Sequence, residues 1–363
     1  MSKLLNIPKQ HTPKLCTLIT GGAGFIGINL SHRLLKSGKP ILILDNLSNP
    51  YAEQNLKWLR ALHGDTVQTL TADIRDRDSL HDAIQKCDEI FHLAAYVKLG
   101  KDLAEPMNAF EANCCGTLNI LEELRSQSKP IPLYFASNKE IYGSLADIAL
   151  RKNKTRYEPE NIFFALNGIS ENRPLDLENP IACSKGTADQ YIMAYSRKFN
   201  IPAIVFRLST VYGYHQWYGN WVTQGIISTI AGIQEHGEWD FLQVTDLLFI
   251  DDLIDAFFLA RTHISKMSGQ AFNLGGGPDN TISVIEFLDL IQEMFHPHHP
   301  IIVTDTPRSR DQAYYATDYS HFNSNTGWHP KFDIKHGLER VYGWLLERRN
   351  EIPALINVRS ATL

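Results

Sequence analysis

Hydrophobic residues along this chain come in two alternating arrangements. In the first they form short, nearly unbroken runs: Leu15 to Thr20, Pro40 to Leu44, Val67 to Ala72, Glu89 to Ala95, Ile131 to Ser137 and Pro202 to Arg207. Runs of this kind predict strands buried on both faces. In the second arrangement apolar positions recur at helical spacing, as at Phe25, Ile26, Leu30, Leu34 and Leu35. That spacing predicts helices between the runs, among them Ala52 to Leu62 and two long ones, Pro106 to Arg125 and Pro180 to Phe199. Strand alternating with helix at this rhythm predicts an α/β protein with a doubly wound parallel sheet. Its ligand crevice lies off the carboxyl ends of the strands. Further on, Phe249-Ile-Asp-Asp-Leu253 opens a helix and Gln270 to Gly275 is a short strand. Thr281 to Phe295 reads as an amphipathic helix and Ile301 to Thr304 as a strand. No internal repeat interrupts this order.

The first strand-to-helix junction is Thr20-Gly-Gly-Ala-Gly-Phe-Ile-Gly27. Gly21 allows a tight turn, Gly24 lets a phosphate approach backbone N–H groups, and Gly27 lets the helix pack close to the strand. This is the Rossmann-like layout for a pyrophosphate at a helix N-terminus. The second strand ends in Asp45, eighteen residues after Gly27, where the ribose-binding carboxylate of such a unit is expected. An acid there accepts from a ribose 2′-hydroxyl and repels a 2′-phosphate, so NAD is favoured over NADP. Asp73 is placed to accept from an adenine amino group or to cap the helix that begins at Asp76-Arg-Asp-Ser-Leu80. The small residues ending the fourth strand let a cofactor lie against backbone, and Asn113 can tie that backbone together through its amide.

Two stretches depart from the strand–helix rhythm. Ser144 to Asn179 is long, polar and irregular, and its place beside the fifth strand predicts a loop covering the site. Tyr212 to Trp221 is rich in aromatics, which serve either a stacking surface for sugar or base or the packing of a lobe. The expected organisation is an NAD-binding domain over residues 1–210, carrying the covering loop 144–179. Residues 211–350 make a smaller C-terminal α/β substrate-binding lobe with segments returning to the core, and 351–363 a tail.

Composition narrows the partners. With 363 residues, 44% hydrophobic, the chain can bury a large core. Its 35 basic and 40 acidic residues are interspersed, giving a net charge of −5, which argues against a nucleic-acid partner. Five cysteines without metal-type spacing read as reduced thiols. His296-Pro-His-His-Pro300 has prolines on both sides and no companion acids, so it reads as a loop, and no metal is expected. No run reaches membrane-spanning length and no apolar leader is evident, so a soluble, cytoplasmic protein is expected.

These residues resemble the extended short-chain dehydrogenase/reductase superfamily. The resemblance runs from about Leu15 to Trp344 and rests on the glycine motif, Asp45-Asn46, Asp73-Ile74, His92-Leu-Ala-Ala95, Asn113 with Gly116-Thr117, Tyr142-Gly143, Ser184-Lys185, Arg207 and Val211-Tyr-Gly213. Within it the chain looks most like CDP-tyvelose (CDP-paratose) 2-epimerases. The echoes are Asn55-Leu-Lys-Trp-Leu59, Ser137-Asn-Lys139, Asn167-Gly168 with Glu171, Cys183-Ser-Lys-Gly186, Ala188-Asp-Gln-Tyr191, and Arg308 with Asp311-Gln312. The resemblance implies a tightly held NAD, with Gly21, Gly24, Phe25, Ile26, Gly27, Asp45, Asn46, Asp73, Ile74, Leu93, Ala94, Ala95, Asn113, Lys185 and Leu208 around it. It implies a nucleotide-diphosphate sugar, CDP-linked by preference, at Thr210, Arg308 and Asp311. It also implies a homodimer through the two long helices.

Three departures bear on the chemistry. The family uses a Tyr-x-x-x-Lys pair, in which the lysine lowers the tyrosine pKa and the tyrosine takes the hydroxyl proton. Lys185 is present, but Ile181 occupies the tyrosine position. Second, the usual Ser or Thr of the fifth strand is matched by Asn138 on a gapless count. It is matched by Ser137 if Glu140 is an insertion. Either way, Lys139 and Glu140 lie near where some sugar dehydratases place their acid and base, or else point to solvent or pair with each other. Third, Thr245 stands where the family usually has an arginine that grips diphosphate. Candidates for the missing base are Lys139, Glu140, Tyr142, or a water held by Ser137 and Lys185. The readings are an epimerase with a rewired base, a 4,6-dehydratase-type enzyme using Lys139 and Glu140, a binding protein that kept NAD and lost turnover, and an enzyme acting on a non-sugar substrate.

Overall fold

Every residue of β1 (Cys16–Thr20) is buried, as a strand covered by helices on both faces requires. The computed structural model describes residues 15–96, 105–217, 220–232, 236–296, 302–305 and 312–352. After β1 come α1 (Phe25–Lys36), β2 (Ile41–Asp45), α2 (Ala52–His63), β3 (Val67–Thr71), α3 (Arg77–Ile84) and β4 (Cys87–His92). Then α4 (Pro106–Ala109) runs through a π-helical stretch, Phe110–Cys115, into α5 (Gly116–Ser126), and β5 (Leu133–Asn138) follows. Past a covering segment holding β6 (Leu150–Lys152), β7 (Tyr157–Pro159) and α6 (Ile162–Asn167), the chain returns through α7 (Pro180–Phe199) to β8 (Ala203–Leu208).

The remaining elements are β9 (Thr210–Tyr212), α8 (Trp221–Ala231), β10 (His236–Trp239), β11 (Val244–Phe249), α9 (Ile250–Met267), β12 (Gln270–Leu274), β13 (Thr281–Ser283), α10 (Val284–Phe295), β14 (Ile302–Asp305), β15 (Tyr314–Tyr315), α11 (Ser320–Thr326) and α12 (Ile334–Glu347). The main sheet has seven parallel strands in the order β12-β8-β5-β4-β1-β2-β3. The chain builds outward from β1 to β3, then crosses to β4 on the other side, so the switch of direction falls between β1 and β4. That is where a doubly wound sheet opens a crevice at its carboxyl edge. Side chains alternate along each strand into two cores. Ile19, Ile43, Phe91, Tyr134 and Phe206 face one layer; Leu18, Leu42, Ile90, Phe135 and Val205 face the other. A second small sheet joins β13, β11 and β15, with β9 paired to β11.

The structure differs from the sequence reading at four places. The predicted helix Pro106 to Arg125 is broken by the π-helical stretch, a feature that concentrates at functional sites, and Asn113 lies within it. The segment 144–179 is not irregular throughout. It forms a hairpin and a short helix because Glu286 takes Arg156 Nε at 2.8 Å and Thr155 Oγ1 at 2.9 Å, while Ser283 Oγ donates to Thr155 O at 2.6 Å. Thr281 to Ser283 pair with β11, so the predicted helix starts only at Val284, behind a capping box of Ser283 and Glu286. The described part of the aromatic stretch is packing: Tyr212, His215 and Trp217 are buried, and Trp217 lies tilted against Trp344 while its indole donates to Asn55.

One ion pair is sealed inside. Arg207 on β8 meets Asp189 on α7 through two bonds, 2.9 and 3.1 Å, with side-chain exposures of 7% and 0%. Arg207→Met should cost about 3–5 kcal/mol in urea unfolding, because Asp189 is left charged and unpaired. Arg207→Met with Asp189→Leu should recover most of that loss, since the uncompensated charge is gone.

Candidate active site

The crevice begins at the glycine turn. Gly21 has φ +68°, and a Cβ there would meet Ala94 N at 2.6 Å, so no other residue fits without moving β4's exit. A Cβ at Gly27 would meet Gly21 O and Gly22 Cα at 2.5 Å, so α1 rests directly on the turn. Gly24, with extended backbone, is the N-cap of α1 and supplies no capping side chain; no acid lies in the first turn. The N–H groups of Phe25 and Ile26 and the positive end of the helix dipole therefore remain for an anion.

Asp45 closes the other side. Its carboxylate accepts from Ala23 N at 3.0 Å and from Leu47 N at 2.9 Å. Burial pushes its pKa up, and those two bonds work against the shift. Asn46 donates to Asp73 at 2.9 Å, and Arg75 binds Asp73 through Nε and Nη2. The Arg75 hydrogen bonds draw Asp73 down to about 2. Asp73 does not cap α3; Asp76 does, accepting from Asp78 N and Ser79 N. A cleft of about 330 Å³ is lined by Gly21, Gly24, Asp45, Asn46, Asp73, Ile74, Leu93, Ala94 and Ala95. Nine of the residues expected to surround a cofactor thus share one cavity. Arg75, Ser48, Asn49, Tyr96 and Asn108 also line it. Sequence reasoning passed over these, although Arg75 two residues after Asp73 was a usable signal for a carboxylate–guanidinium clasp.

The second part of the site lies where β5 ends against α7. Asn113 Oδ1 accepts from Tyr96 N at 2.7 Å, and its Nδ2 donates to Tyr96 O at 3.1 Å and Ser184 Oγ at 2.8 Å. One amide thereby joins the exit of β4 to α7. Lys185, 5% exposed, donates from Nζ to Ala136 O at 2.7 Å and lies over the Phe135 ring. Burial pulls its ammonium down to about 8, with Asp189 and Glu140 opposing. Ile181 sits one turn earlier on α7 and offers no polar atom. Ser137 Oγ and Asn138 Oδ1 are buried with no hydrogen-bond partner among the described residues. Leu208 faces Asn138 in the β5–β8 register.

Lys139 and Glu140 part company. Lys139 Nζ donates to Thr245 Oγ1 at 2.9 Å and lies 5.0 Å from the centre of the Tyr315 ring. Thr245 Oγ1 is 3.1 Å from Thr210 Oγ1. Glu140 is exposed. The two side chains therefore neither pair nor share a fate. Tyr142 is removed from the candidate bases. Its hydroxyl donates to Asn273 Oδ1 at 2.7 Å and accepts from Arg207 Nη1 at 3.0 Å, and burial pushes it up to about 12. Gln312 Nε2 donates to Lys139 O at 3.1 Å and Gly143 O at 2.7 Å, holding the turn after β5. Arg308 and Asp311, as well as His298 and His299, lie outside the described residues. Among the described residues no group of three or more His, Cys, Asp or Glu is arranged to hold a metal, and no helix is long and apolar enough to cross a membrane.

Residues 18–341 match the family model described as GDP-mannose 4,6 dehydratase. The CDP-paratose 2-epimerase of Salmonella typhi is 33% identical over 342 residues, covering 90% of this chain and 98% of that protein. The dTDP-glucose 4,6-dehydratase of Xanthomonas campestris pv. campestris is 25% identical over 361 residues, covering 94% and 95%. Among solved structures, the UDP-glucose 4-epimerase of Thermotoga maritima with UDP-glucose superposes with a TM-score of 0.76 at 23% identity, over 93% of this chain and 99% of that one. The dTDP-glucose 4,6-dehydratase of Bacillus anthracis in complex with NAD also gives 0.76, at 24% identity, over 94% and 99%. The chain belongs to the GDP-mannose 4,6-dehydratase family, within the extended short-chain dehydrogenase/reductase superfamily of epimerases and dehydratases.

Proposed function

We propose that this protein is an NAD-dependent nucleotide-sugar epimerase that acts on a CDP-linked sugar. The observation that carries the reading is the full-length likeness to a CDP-paratose 2-epimerase joined to a glycine crevice closed by Asp45. The cradle fits the cofactor on its own terms: an uncapped helix end for the pyrophosphate, a carboxylate for a ribose, and small residues where the ring must lie against backbone. When bound, NAD supplies a hydride acceptor that turns a sugar hydroxyl into a ketone and later gives the hydride back.

The residues divide the work. Phe25 and Ile26 N–H groups meet the pyrophosphate beside Gly21, Gly24 and Gly27. Asp45 takes the adenosine ribose, and Asn46, Asp73 and Ile74 border the adenine. Leu93, Ala94 and Ala95 line the path to the nicotinamide end, where Asn113, Lys185 and Leu208 stand. Thr210, Arg308 and Asp311 serve the sugar nucleotide, and Ser137 and Asn138 offer orphaned polar atoms to its hydroxyls. Lys139, at the start of the turn after β5, donates to Thr245, whose hydroxyl adjoins that of Thr210. The 4,6-dehydratase variant is less favoured, since Glu140 points outward and Lys139 is already engaged. A binding protein without turnover is the second reading, and Ile181 is the residue that favours it.

A homodimer fits the same picture. Met107, Phe110, Tyr191 and Phe199 are 65%, 52%, 47% and 42% exposed, all on the two long helical segments. Exposed apolar side chains on both of these helical segments suit a partner surface.

Asp45→Ala should weaken NAD binding about 10- to 100-fold in a fluorescence titration, the scale of losing hydrogen bonds to a charged acceptor. Protein mixed with CDP-paratose should show transient reduced-nicotinamide absorbance. Protein that fails to bind NAD at all would sink the reading. Phe110→Asp with Phe199→Asp should convert a dimer to a monomer in sedimentation velocity; a wild-type protein that sediments as a monomer would overturn the dimer.

A further inference from the structure

We infer that the guanidinium plane of Arg75 holds the adenine of the cofactor, and that Asp73 is a positioning residue acting through Arg75. The inference rests on the NAD reading and deepens it at the adenosine end. It follows first from the acceptor positions that remain open. A carboxylate offers about four, two on each oxygen. Asp45 accepts Ala23 N on one oxygen and Leu47 N on the other, so each keeps a position for a ribose hydroxyl. Asp73 keeps none. Its Oδ1 accepts from Arg75 N and Arg75 Nε, both at 2.9 Å. Its Oδ2 accepts from Asn46 Nδ2 at 2.9 Å and from Arg75 Nη2 at 3.0 Å. An adenine amino group arriving at Asp73 would have to displace one of these bonds.

Arg75 is fixed from its other side as well. Its Nη1 donates to Glu111 Oε2 at 3.1 Å, and Glu111 belongs to the π-helical stretch that carries Asn113. Nε, Nη1 and Nη2 thus each spend a hydrogen in the plane of the group. The guanidinium is pinned between an acid that follows β3 and an acid that precedes α5, and Arg75 lines the same cleft as Asp45, Ile74 and Ala112. A planar cation whose edge is committed offers its faces, and a guanidinium face stacks on an aromatic ring. Because it is pinned beforehand, it loses little freedom when a base arrives. Asn49, Tyr96 and Asn108 also line the cleft and are engaged locally. Asn49 Oδ1 accepts from Tyr51 N at 2.9 Å, while Asn108 Nδ2 and Tyr96 OH both donate to Glu105.

Stacking and hydrogen bonding to the amino group are separated by an NAD analogue that carries unsubstituted purine, which keeps the ring and lacks the amino group. In calorimetric titration of the full-length protein, wild type should bind NAD and the analogue within about threefold of each other, since no net hydrogen bond is lost. Arg75→Ala should weaken both about 5- to 30-fold. Arg75→Lys should come close to that loss, because an ammonium has no plane and cannot bridge Asp73 and Glu111. Asp73→Asn should weaken both ligands alike. Asp73→Asn combined with Arg75→Ala should bind about as R75A alone does, because Asp73 acts through Arg75. An analogue bound more than about tenfold more weakly than NAD by wild type would overturn the inference, placing the amino group on an acceptor. Additive losses in the double variant, or R75A protein that binds NAD as wild type does, would also overturn it. Each of these results leaves the NAD reading standing. Wild-type protein with no affinity for either dinucleotide would overturn both.

Discussion

How closely α1 can lie against β1 decides whether this molecule has a site at all. Gly27 allows helix backbone to rest on the turn, and Gly21 takes a left-handed conformation flush against Ala94. A methyl group at either place would collide with backbone, which has nowhere to go in a close-packed sheet. Because the turn is this tight, Asp45 reaches across to Ala23 N, and the same carboxylate holds Leu47 N. Desolvation disfavours the charged acid, and the two N–H bonds oppose it. The glycine spacing, the helix end and the acid are therefore one device rather than three motifs.

The far end of the crevice depends on a different kind of contact. Asp189 and Arg207 are sealed between α7 and β8, and Arg207 extends to Tyr142, Tyr142 to Asn273, and Asn273 N to Glu171 at 2.6 Å. This chain of bonds crosses from the nucleotide-binding layer through the turn after β5 to the covering segment. A buried pair contributes little net stability over an apolar replacement, but it admits few alternative geometries. Its consequence here is positional. Asp189 lies one helical turn beyond Lys185, so the pair that fixes α7 also fixes the lysine against Ala136 O.

Much of this was legible in the sequence because it follows from short-range rules. Unbroken apolar runs between helical stretches gave the parallel sheet, and the glycine triplet with Asp45 located a cleft that nine of the expected residues line. What escaped has non-local causes. The hairpin and helix inside 144–179 are held by Arg156 on Glu286, some 130 residues away in sequence, and the segment's own composition carries no such sign. The π-helical stretch around Asn113 breaks no propensity rule; it accompanies an amide that must meet both Tyr96 and Ser184. Tyr142 looked available because a tyrosine at a strand end is ordinarily wet, whereas here Arg207 and Asn273 enclose it. The aromatics of 212–221 admitted two readings because stacking on a ligand and packing against Trp344 have the same composition.

Binding and proton transfer come apart in this chain. The features suited to holding the dinucleotide are present: the uncapped helix end, Asp45, the Asn113 amide and Lys185. Ile181, by contrast, stands where the resemblance places a group whose work is to exchange a proton, and Thr245 where it places a diphosphate-gripping arginine. Loss of a phenol does not by itself abolish that exchange, because the phenol in such a pair acts by having its pKa lowered by the lysine. What remains at this end of the crevice is Lys185, buried and held to Ala136 O, with burial pulling its ammonium down to about 8. Lys139 has different surroundings, donating to the Thr245 hydroxyl and lying near Asp246. Two lysines near one crevice are thereby set apart by their surroundings: Lys185 is buried against the Ala136 carbonyl, and Lys139 meets the Thr245 hydroxyl.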